Sequence, residues 1–225
     1  MPLPPFLGPG TRINLTTATT APPSPLGGAA PISQALSFSI QSQLQQNWCW
    51  AAVSTSVALF YNVSSGWTQC TVANRALPRN DCCGAAGSDP QKCNKPWYLD
   101  TALGVTGNLV TMSAGTLTFA QVQNEIAAGT PVGCRVGWFG GGGHFLTIIG
   151  WVVGATGTEY IELADPIYLN TQIPYIDFAS SYQSGGVWSH TYLTQAVPAQ
   201  VAAALGGVAA AVNRTGTADP SAIGA

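Results

Sequence analysis

Cys49 is a candidate nucleophile because of its position at the start of an apolar stretch. Residues Trp48–Tyr61 (WCWAAVSTSVALFY) are apolar nearly all round, and their length and Ala content favour a buried helix over a strand. Asn47, directly before them, is a good N-cap. Unpaired backbone N–H groups and the positive end of a helix favour a thiolate, the form of cysteine that attacks a carbonyl carbon. The alternative interpretation of Cys49 is a buried structural cysteine.

His144 is the candidate base that would act with this cysteine. It is one of two histidines in the chain, and it follows the glycine run Gly140–Gly143 and opens an apolar strand. Glycines allow a close approach of backbone or substrate, and a Cys–His pair needs proximity in space rather than in sequence. The other histidine, His190, has no such setting, and we interpret it as a structural polar residue.

Asp165 is the candidate third residue. It follows the strand-like segment Tyr160–Ala164 and precedes Pro166. A strand running antiparallel to the one that begins at His144 would bring this carboxylate to the imidazole, fix the orientation of the ring and stabilise its charged form. An Asp-Pro turn that merely ends a strand is the alternative interpretation.

Three motifs occur in the order cysteine, histidine, aspartate. They are QQNWCWAA (45–52), GGGGHFLTIIGW (140–151) and ELADP (162–166). Together they resemble the motifs of bacterial papain-like cysteine proteases, the group that contains AvrRpt2-type effectors, staphopain-like enzymes and the C39-like papain fold. The resemblance spans about residues 38–195. It implies an α+β, papain-like fold in which a central nucleophile-bearing helix packs against an antiparallel β-sheet, with catalysis by Cys49, His144 and Asp165 and no cofactor or metal.

The resemblance also implies a glutamine that donates its side-chain N–H to the oxyanion, together with the backbone N–H of the cysteine. The usual offset of six residues selects Gln43, with Gln45 as the fallback. Trp48 and Trp50 flank the nucleophile, where a cleft wall and a pure core role are equally compatible with the sequence. Trp138 and Phe139 could also line the cleft, but for both we expect core or hairpin packing.

Four of the six cysteines fall within 24 residues: Cys70, Cys82, Cys83 and Cys93. They resemble a cysteine-rich insert of relatives of this group, and we expect two disulfides. Adjacent cysteines rarely bond to each other, so Cys82 and Cys83 should each reach Cys70 or Cys93, and both pairings remain open. A four-cysteine zinc site is the rival interpretation, but its ligands would normally lie two to four residues apart. Cys134, on a predicted strand, is expected to be a free buried thiol.

The remaining patterns suggest one folded domain between two tails. Residues 1–35 are rich in Pro, Thr, Gly and Ala and are predicted to be a flexible N-terminal tail. Residues 36–195 are predicted to form the protease domain, and residues 196–225 an Ala/Gly-rich C-terminal tail with a possible helix at 199–212. Residues 66–96 are predicted to be a stapled loop.

Within the domain, the sequence places helices in the first half and a sheet in the second, an α+β order. A capping-box pattern at Thr118–Gln121 opens a helix that runs through Ala128. Strands are predicted at Pro131–Trp138, His144–Val152 and Glu159–Leu163, and the glycine run before His144 is predicted to be a hairpin turn.

Charged residues make up 7 % of the chain, against about 25 % in an ordinary soluble domain, and the net charge is -2. This composition weighs against nucleic-acid binding and against an electrostatic membrane anchor. No apolar stretch has the roughly 20 residues of a membrane span, and the N-terminus shows no signal-peptide pattern. We expect a monomer that acts on a protein or peptide substrate. Disulfides and the bacterial resemblance imply an enzyme secreted or delivered outside the producing cell.

The leading functional hypothesis is a cysteine endopeptidase that works through a thioester acyl-enzyme. A deamidase or a transglutaminase-like acyltransferase with the same triad is the second hypothesis. A non-catalytic papain-fold toxin or binding module is a third hypothesis of a different class. The presence of all three triad residues argues against it.

Overall fold

A computed structural model describes residues 32–198, and this part of the chain forms seven strands and five α-helices. The strands are β1 (Ile32–Ala35), β2 (Leu109–Ala114), β3 (Val132–Trp138), β4 (Gly143–Val153), β5 (Glu159–Asp165), β6 (Leu169–Pro174) and β7 (Gly186–Thr194). The helices are α1 (Cys49–Tyr61), α2 (Gln69–Ala76), α3 (Leu99–Thr106), α4 (Phe119–Ala127) and α5 (Tyr175–Ser181), with a 3₁₀ turn at Ala85–Ser88.

One antiparallel sheet joins all seven of these strands. Its order is β2-β7-β3-β4-β5-β6, and β1 pairs with the end of β4. The central strands β3, β4 and β5 follow each other along the chain and are linked by short turns. Gly140, Gly141 and Gly142 all have positive φ in the turn between β3 and β4, a conformation that favours glycine. The predicted hairpin turn before His144 is therefore present.

The core consists of two clusters of buried side chains on the two faces of the sheet. Phe145 and Ile149 of β4 pack in one cluster with α1, α2 and α3. Leu146 and Ile148 pack in the other with α4 and α5. Successive side chains of a strand point to opposite faces, so both faces of β4 are covered. Helix α1 lies in the first cluster with ten consecutive buried residues, Cys49 to Ala58, which explains why its sequence is apolar nearly all round.

The predicted elements of the sheet and two helices are confirmed with small shifts at their ends. α1 begins at Cys49, one residue after the predicted start, and α4 begins after a complete capping box between Thr118 and Gln121. β3, β4 and β5 match the three predicted strands. The α+β class and the central nucleophile-bearing helix packed against an antiparallel sheet are present, as a papain-like fold requires.

Three local predictions are wrong. Asn47 does not cap α1, because the N-cap is Trp48 and no side chain caps it. Residues 66–96 are not only loop, since they contain α2, which starts with a capping box between Thr68 and Thr71. The predicted N-terminal tail includes β1, which pairs with β4 from Ile32 opposite Val153.

Other parts of the predicted tails, including the possible helix at 199–212, lie outside the described residues. Between residues 32 and 198, none of the helices is long and apolar enough to cross a membrane.

Candidate active site

The register of two neighbouring strands brings His144 and Asp165 together. Thr147 of β4 lies opposite Ala164 of β5, so the last residue of β5 lies beside the start of β4. His144 Nε2 and Asp165 Oδ2 are 2.8 Å apart. The imidazole is 6 % exposed and the carboxylate is fully buried. This is the contact expected from an antiparallel pairing of the two predicted strands.

Three further donors hold the Asp165 carboxylate. The backbone N–H groups of Ile167 and Tyr168 donate to Oδ1 over 2.7 and 3.0 Å, in the turn that Pro166 opens. The Tyr182 hydroxyl donates to Oδ2 over 2.9 Å. Oδ2 therefore bonds to both the imidazole and the phenol. A buried carboxylate requires such partners, because an unpaired buried charge is very costly.

Cys49 is the first residue of α1 and is nearly buried, at 9 % exposure. Its side chain is close enough to His144 to contribute to the raised pKa of the imidazole. Because Nε2 of the ring is engaged by Asp165, Nδ1 is the nitrogen left for the sulfur. Three residues that are far apart in sequence thus lie close together. Cys49 begins α1, His144 lies near the start of β4, and Asp165 ends β5.

His144 and Asp165 each stabilise the charged form of the other. Burial lowers the pKa of His144, but the Asp165 charge and its hydrogen bond, together with Cys49, outweigh burial and raise that pKa to about 10. Burial raises the pKa of Asp165, but His144 and the two backbone donors outweigh it, so the pKa of this carboxyl lies below its ordinary value. Burial and the neighbouring Asp165 charge raise the pKa of Tyr182 far above its ordinary value, so the phenol stays a donor.

Gln43, the first choice for an oxyanion donor, lies next to this cluster. Its backbone N–H donates to Pro166 O over 3.1 Å, which ties the segment before α1 to the turn after Asp165. Its side-chain Nε2 donates to Gln46 O over 2.6 Å, and its Oε1 is buried without a hydrogen-bond partner among the described residues. The fallback Gln45 has its side-chain nitrogen beside Gly87 of the cysteine-rich segment. Gln43 therefore remains the better candidate.

The aromatic residues near the motifs have different surroundings. Trp48 and Trp50 are fully buried in the core, so the core role applies to both. Their indole N–H groups donate to Cys93 O over 2.7 Å and to Lys95 O over 3.1 Å. Trp138 packs partly buried on the second core cluster, as expected. Phe139 is fully exposed, so the packing predicted for it is wrong.

The four clustered cysteines form two disulfides, as predicted. The bonds are Cys70–Cys83 and Cys82–Cys93. All four sulfurs are engaged in these bonds, which rules out the rival four-cysteine zinc site, since its ligands would have to be thiolates.

Among the described residues, Cys49 and Cys134 are the free cysteines. Complete burial raises the pKa of the Cys134 thiol well above its ordinary value, so it is an inert thiol. His190 lies on β7, where its Nδ1 is 3.1 Å from Ser189 Oγ. Cys134 is thus the free buried thiol that the sequence predicts, and the contact of His190 agrees with its interpretation as a structural polar residue.

Sequence reasoning missed Tyr182. It follows α5 and is 1 % exposed, in a turn where Gln183 and Ser184 have positive φ. Nothing in the sequence around Tyr182 marks it, since it lies outside all three motifs and follows a helix, α5, that was not predicted. Only the packing of α5 against the sheet brings its hydroxyl to Asp165.

A cysteine at the start of a buried helix, paired with a histidine–carboxylate couple on an antiparallel sheet, defines the papain class of cysteine hydrolases. A family model described as papain-like cysteine protease AvrRpt2 matches residues 31–182, more than half of the chain. The chain belongs to this family and is a papain-like cysteine protease, a hydrolase. A comparison with curated proteins found no match.

Proposed function

We propose that this protease is an endopeptidase in which Cys49, His144 and Asp165 form the catalytic triad. The observation that carries the proposal is the buried contact of 2.8 Å between His144 Nε2 and Asp165 Oδ2, with Cys49 close enough to raise the pKa of the same imidazole. Asp165 fixes the ring and stabilises its positive charge. His144 thereby supports negative charge on the sulfur at the positive end of α1.

In the acylation step, the Cys49 sulfur attacks the carbonyl carbon of the scissile peptide bond, and a C–S bond forms. The developing oxyanion accepts hydrogen bonds from the Cys49 backbone N–H and the Gln43 side chain. The C–N bond then breaks, and the His144 imidazolium gives its proton to the leaving amine. The products are a free amine and a thioester on Cys49.

In the deacylation step, His144 removes a proton from a water molecule, which attacks the thioester carbonyl. The C–S bond breaks, the carboxylic acid is released, and the sulfur returns to its starting state beside the imidazolium. The same thioester could pass its acyl group to an amine, or form from a glutamine side chain with loss of ammonia. The test below therefore distinguishes these reactions.

The protein is further proposed to act outside the cell that produces it. The support is the pair of disulfides, because such bonds persist in oxidising compartments and are rare in the cytosol. A bacterial secreted or delivered protease fits this chemistry.

The test is cleavage of casein by the wild type and by the Cys49→Ala variant, each with and without a thiol-directed epoxide inhibitor. Cleavage by the wild type alone, abolished by the inhibitor, is expected. Cys49→Ala removes the nucleophile and leaves the core intact, since the side chain is replaced by a slightly smaller one.

Three other outcomes would contradict parts of the proposal. Release of ammonia from glutamine, without peptide cleavage, would indicate a deamidase. Incorporation of a labelled amine into casein would indicate an acyltransferase. Slow alkylation of Cys49 at neutral pH, without any of these activities, would contradict the triad itself and favour a non-catalytic module.

A further inference from the structure

Four hydrogen bonds connect the residues around Cys49 to three consecutive residues of the disulfide-bonded segment, Cys93–Lys95. We call these three residues the anchor segment. We propose that the anchor segment positions the nucleophile, with Asn94 as a positioning residue, and that the Cys82–Cys93 disulfide is required for the reactivity of Cys49. This proposal rests on the proposed function and goes beyond it.

The contacts come from both sides of the nucleophile. The backbone N–H of Asn47 donates to Asn94 Oδ1 over 3.0 Å, and the Asn47 side chain donates to Asn94 O over 3.0 Å. Trp48 Nε1 donates to Cys93 O over 2.7 Å, and Trp50 Nε1 donates to Lys95 O over 3.1 Å. Three of the four residues nearest to Cys49 in sequence thus donate to the anchor segment.

These contacts fix the start of α1, although none of them caps a backbone N–H group of its first turn. No side chain caps α1 at Trp48, so its first turn lacks the local hydrogen bond that usually fixes the start of a helix. The anchor segment supplies fixed partners to the residues on both sides of Cys49 instead. A small displacement of this turn would change the distance between the sulfur and His144, and misplacement by about 1 Å can cost about a hundredfold in rate.

The Cys82–Cys93 disulfide fixes the anchor segment from the other side. Cys93 is fully buried and Cys82 is 2 % exposed. The backbone N–H of Cys82 donates to Asn74 Oδ1 of α2 over 2.8 Å. The disulfide therefore connects α2 to the anchor segment and through it to the first turn of α1.

The second disulfide provides a matched control. Cys70–Cys83 also closes a loop in the same part of the chain, with a sequence separation of 13 against 11. Neither of its cysteines belongs to the anchor segment, and Cys83 is exposed. Removal of either disulfide frees a loop of similar length, but only Cys82–Cys93 ends in the anchor segment, whose residues bond to the sequence neighbours of the nucleophile.

Reduction would consequently affect the two disulfides differently. A dithiol reductant gives two electrons to each bond, is itself oxidised to a cyclic disulfide, and leaves two cysteine thiols in the protein. The exposed Cys70–Cys83 bond should be reduced first, because thiolate attack requires access to a sulfur. The buried Cys82–Cys93 bond can then persist under conditions that keep Cys49 reduced.

The test measures the rate of iodoacetamide alkylation of Cys49 at pH 6 and at pH 10, without reductant. The ratio of the two rates reports whether the sulfur is activated at a pH at which an ordinary thiol is not ionised. Cys49→Ala gives the background from the buried Cys134. The double variants are Cys82→Ser/Cys93→Ser and, as the control, Cys70→Ser/Cys83→Ser. Asn94→Ala leaves both disulfides in place and removes the acceptor of the Asn47 N–H as well as a donor to Ser88 O, whereas Asn94→Asp retains the acceptor oxygen.

We expect the pH 6 to pH 10 ratio to fall about tenfold in Asn94→Ala, the effect of losing one well-placed hydrogen bond at the nucleophile. Asn94→Asp should recover the ratio to within about threefold of the wild type. Cys82→Ser/Cys93→Ser should lower the ratio at least as much as Asn94→Ala. Cys70→Ser/Cys83→Ser should leave it within about twofold, since a loss of stability alone does not change the state of the sulfur in folded molecules.

An Asn94→Ala ratio equal to that of the wild type would overturn the proposal, even if the disulfide variant fails to fold. Equal losses in the two disulfide variants would also overturn it, because the effect would then be general destabilisation. A wild type that alkylates slowly at pH 6 would contradict the proposed triad instead. Fast alkylation of Cys49 without casein cleavage would contradict only the proposed endopeptidase activity.

Discussion

At the residue scale, Asp165 accepts four hydrogen bonds although its carboxylate is fully buried. Two donors are backbone N–H groups, and one of the other two is the His144 imidazole. Burial alone would neutralise such a group, so the donors are what keep it ionised. An ionised carboxylate at this position is the reason why the imidazole keeps its proton.

The first prediction concerns the alkaline limb of the pH profile. The pKa of His144 is raised to about 10, mainly because Asp165 opposes the effect of burial. In the proposed mechanism, His144 must be protonated to give a proton to the leaving amine, so kcat/KM should fall as the pH rises through about 10. In Asp165→Asn the negative charge is lost, the pKa of His144 falls, and the limb should move to lower pH.

The measurement is kcat/KM for a neutral peptide between pH 5 and pH 11, with Asp177→Asn as a control. Asp177 is an acidic residue on α5 outside the site. A limb that stays in place in Asp165→Asn would contradict the assigned pair.

The second prediction concerns Tyr182, whose hydroxyl donates to the same carboxylate oxygen as His144. Tyr182→Phe removes this donor and leaves the buried ring. A donor to the ionised form lowers the pKa of a carboxyl group, so its removal raises the pKa of Asp165 and should shift the acid limb of kcat to higher pH. We also expect kcat to fall about tenfold with little change in KM, the effect of losing a hydrogen bond to a charged group.

Tyr175→Phe is the matched control, because it also removes a phenol donor, here to Leu117 O over 2.7 Å, away from the triad. It should destabilise the protein without moving the acid limb. If both variants shift the limb equally, the effect does not come from Asp165.

At the element scale, β4 is the strand on which the site depends most directly. It carries His144, pairs with β5 and its Asp165, and contacts α1. β1 also pairs with its far end, where Gly150 lies opposite Ala35. A Cβ atom on Gly150 would lie 2.9 Å from Gln34 O and 2.7 Å from Glu162 Oε2. The absence of a side chain at this position is therefore what allows β1 and β5 to flank β4.

The third prediction follows from this close approach. Gly150→Ala should lower the free energy of unfolding by about 1–3 kcal/mol, because backbone and side-chain atoms on both sides must move. The control is Gly104→Ala inside α3, where a Cβ atom meets nothing within 4 Å. It should raise stability by about 0.5–1 kcal/mol through the higher helix propensity of Ala.

Urea unfolding followed by circular dichroism measures both variants. A neutral Gly150→Ala would mean that β1 is not held against β4 as described.

At the scale of the whole molecule, the low content of charge is the dominant property. Charged residues are 7 % of the chain and the net charge is -2. Two of the ion pairs among the described residues join neighbours in sequence, Arg79–Asp81 and Lys92–Asp89. Such a surface produces only a weak long-range electrostatic field, so it neither attracts nor repels a charged substrate strongly.

The fourth prediction is a weak dependence of cleavage on salt. Between 20 and 500 mM NaCl, kcat/KM should change less than about twofold, because electrostatic steering is what salt screens. The measurement compares two unstructured peptides of opposite net charge that share one cleavage sequence. A steep dependence of opposite sign for the two peptides would indicate a charged substrate path.

The residues of the proposed triad could be singled out from the sequence, because each of them lies in a local pattern that carries its own physical signal. Cys49 opens an apolar helix, His144 follows glycines at the start of a strand, and Asp165 ends a strand before a proline. Strand periodicity predicted β3, β4 and β5. The class of the fold and the proximity of His144 and Asp165 follow from the antiparallel pairing of these three strands.

Contacts between distant segments were decided only by the tertiary structure. The sequence left the cysteine pairing open, because several pairings satisfy the same spacing, and the folded chain selects Cys70–Cys83 and Cys82–Cys93. Nothing in the sequence indicates that Tyr182 bonds to Asp165, or that Asn47 bonds to Asn94 instead of capping α1. Local patterns report how a residue interacts with its neighbours in the chain, whereas these contacts depend on how whole elements pack.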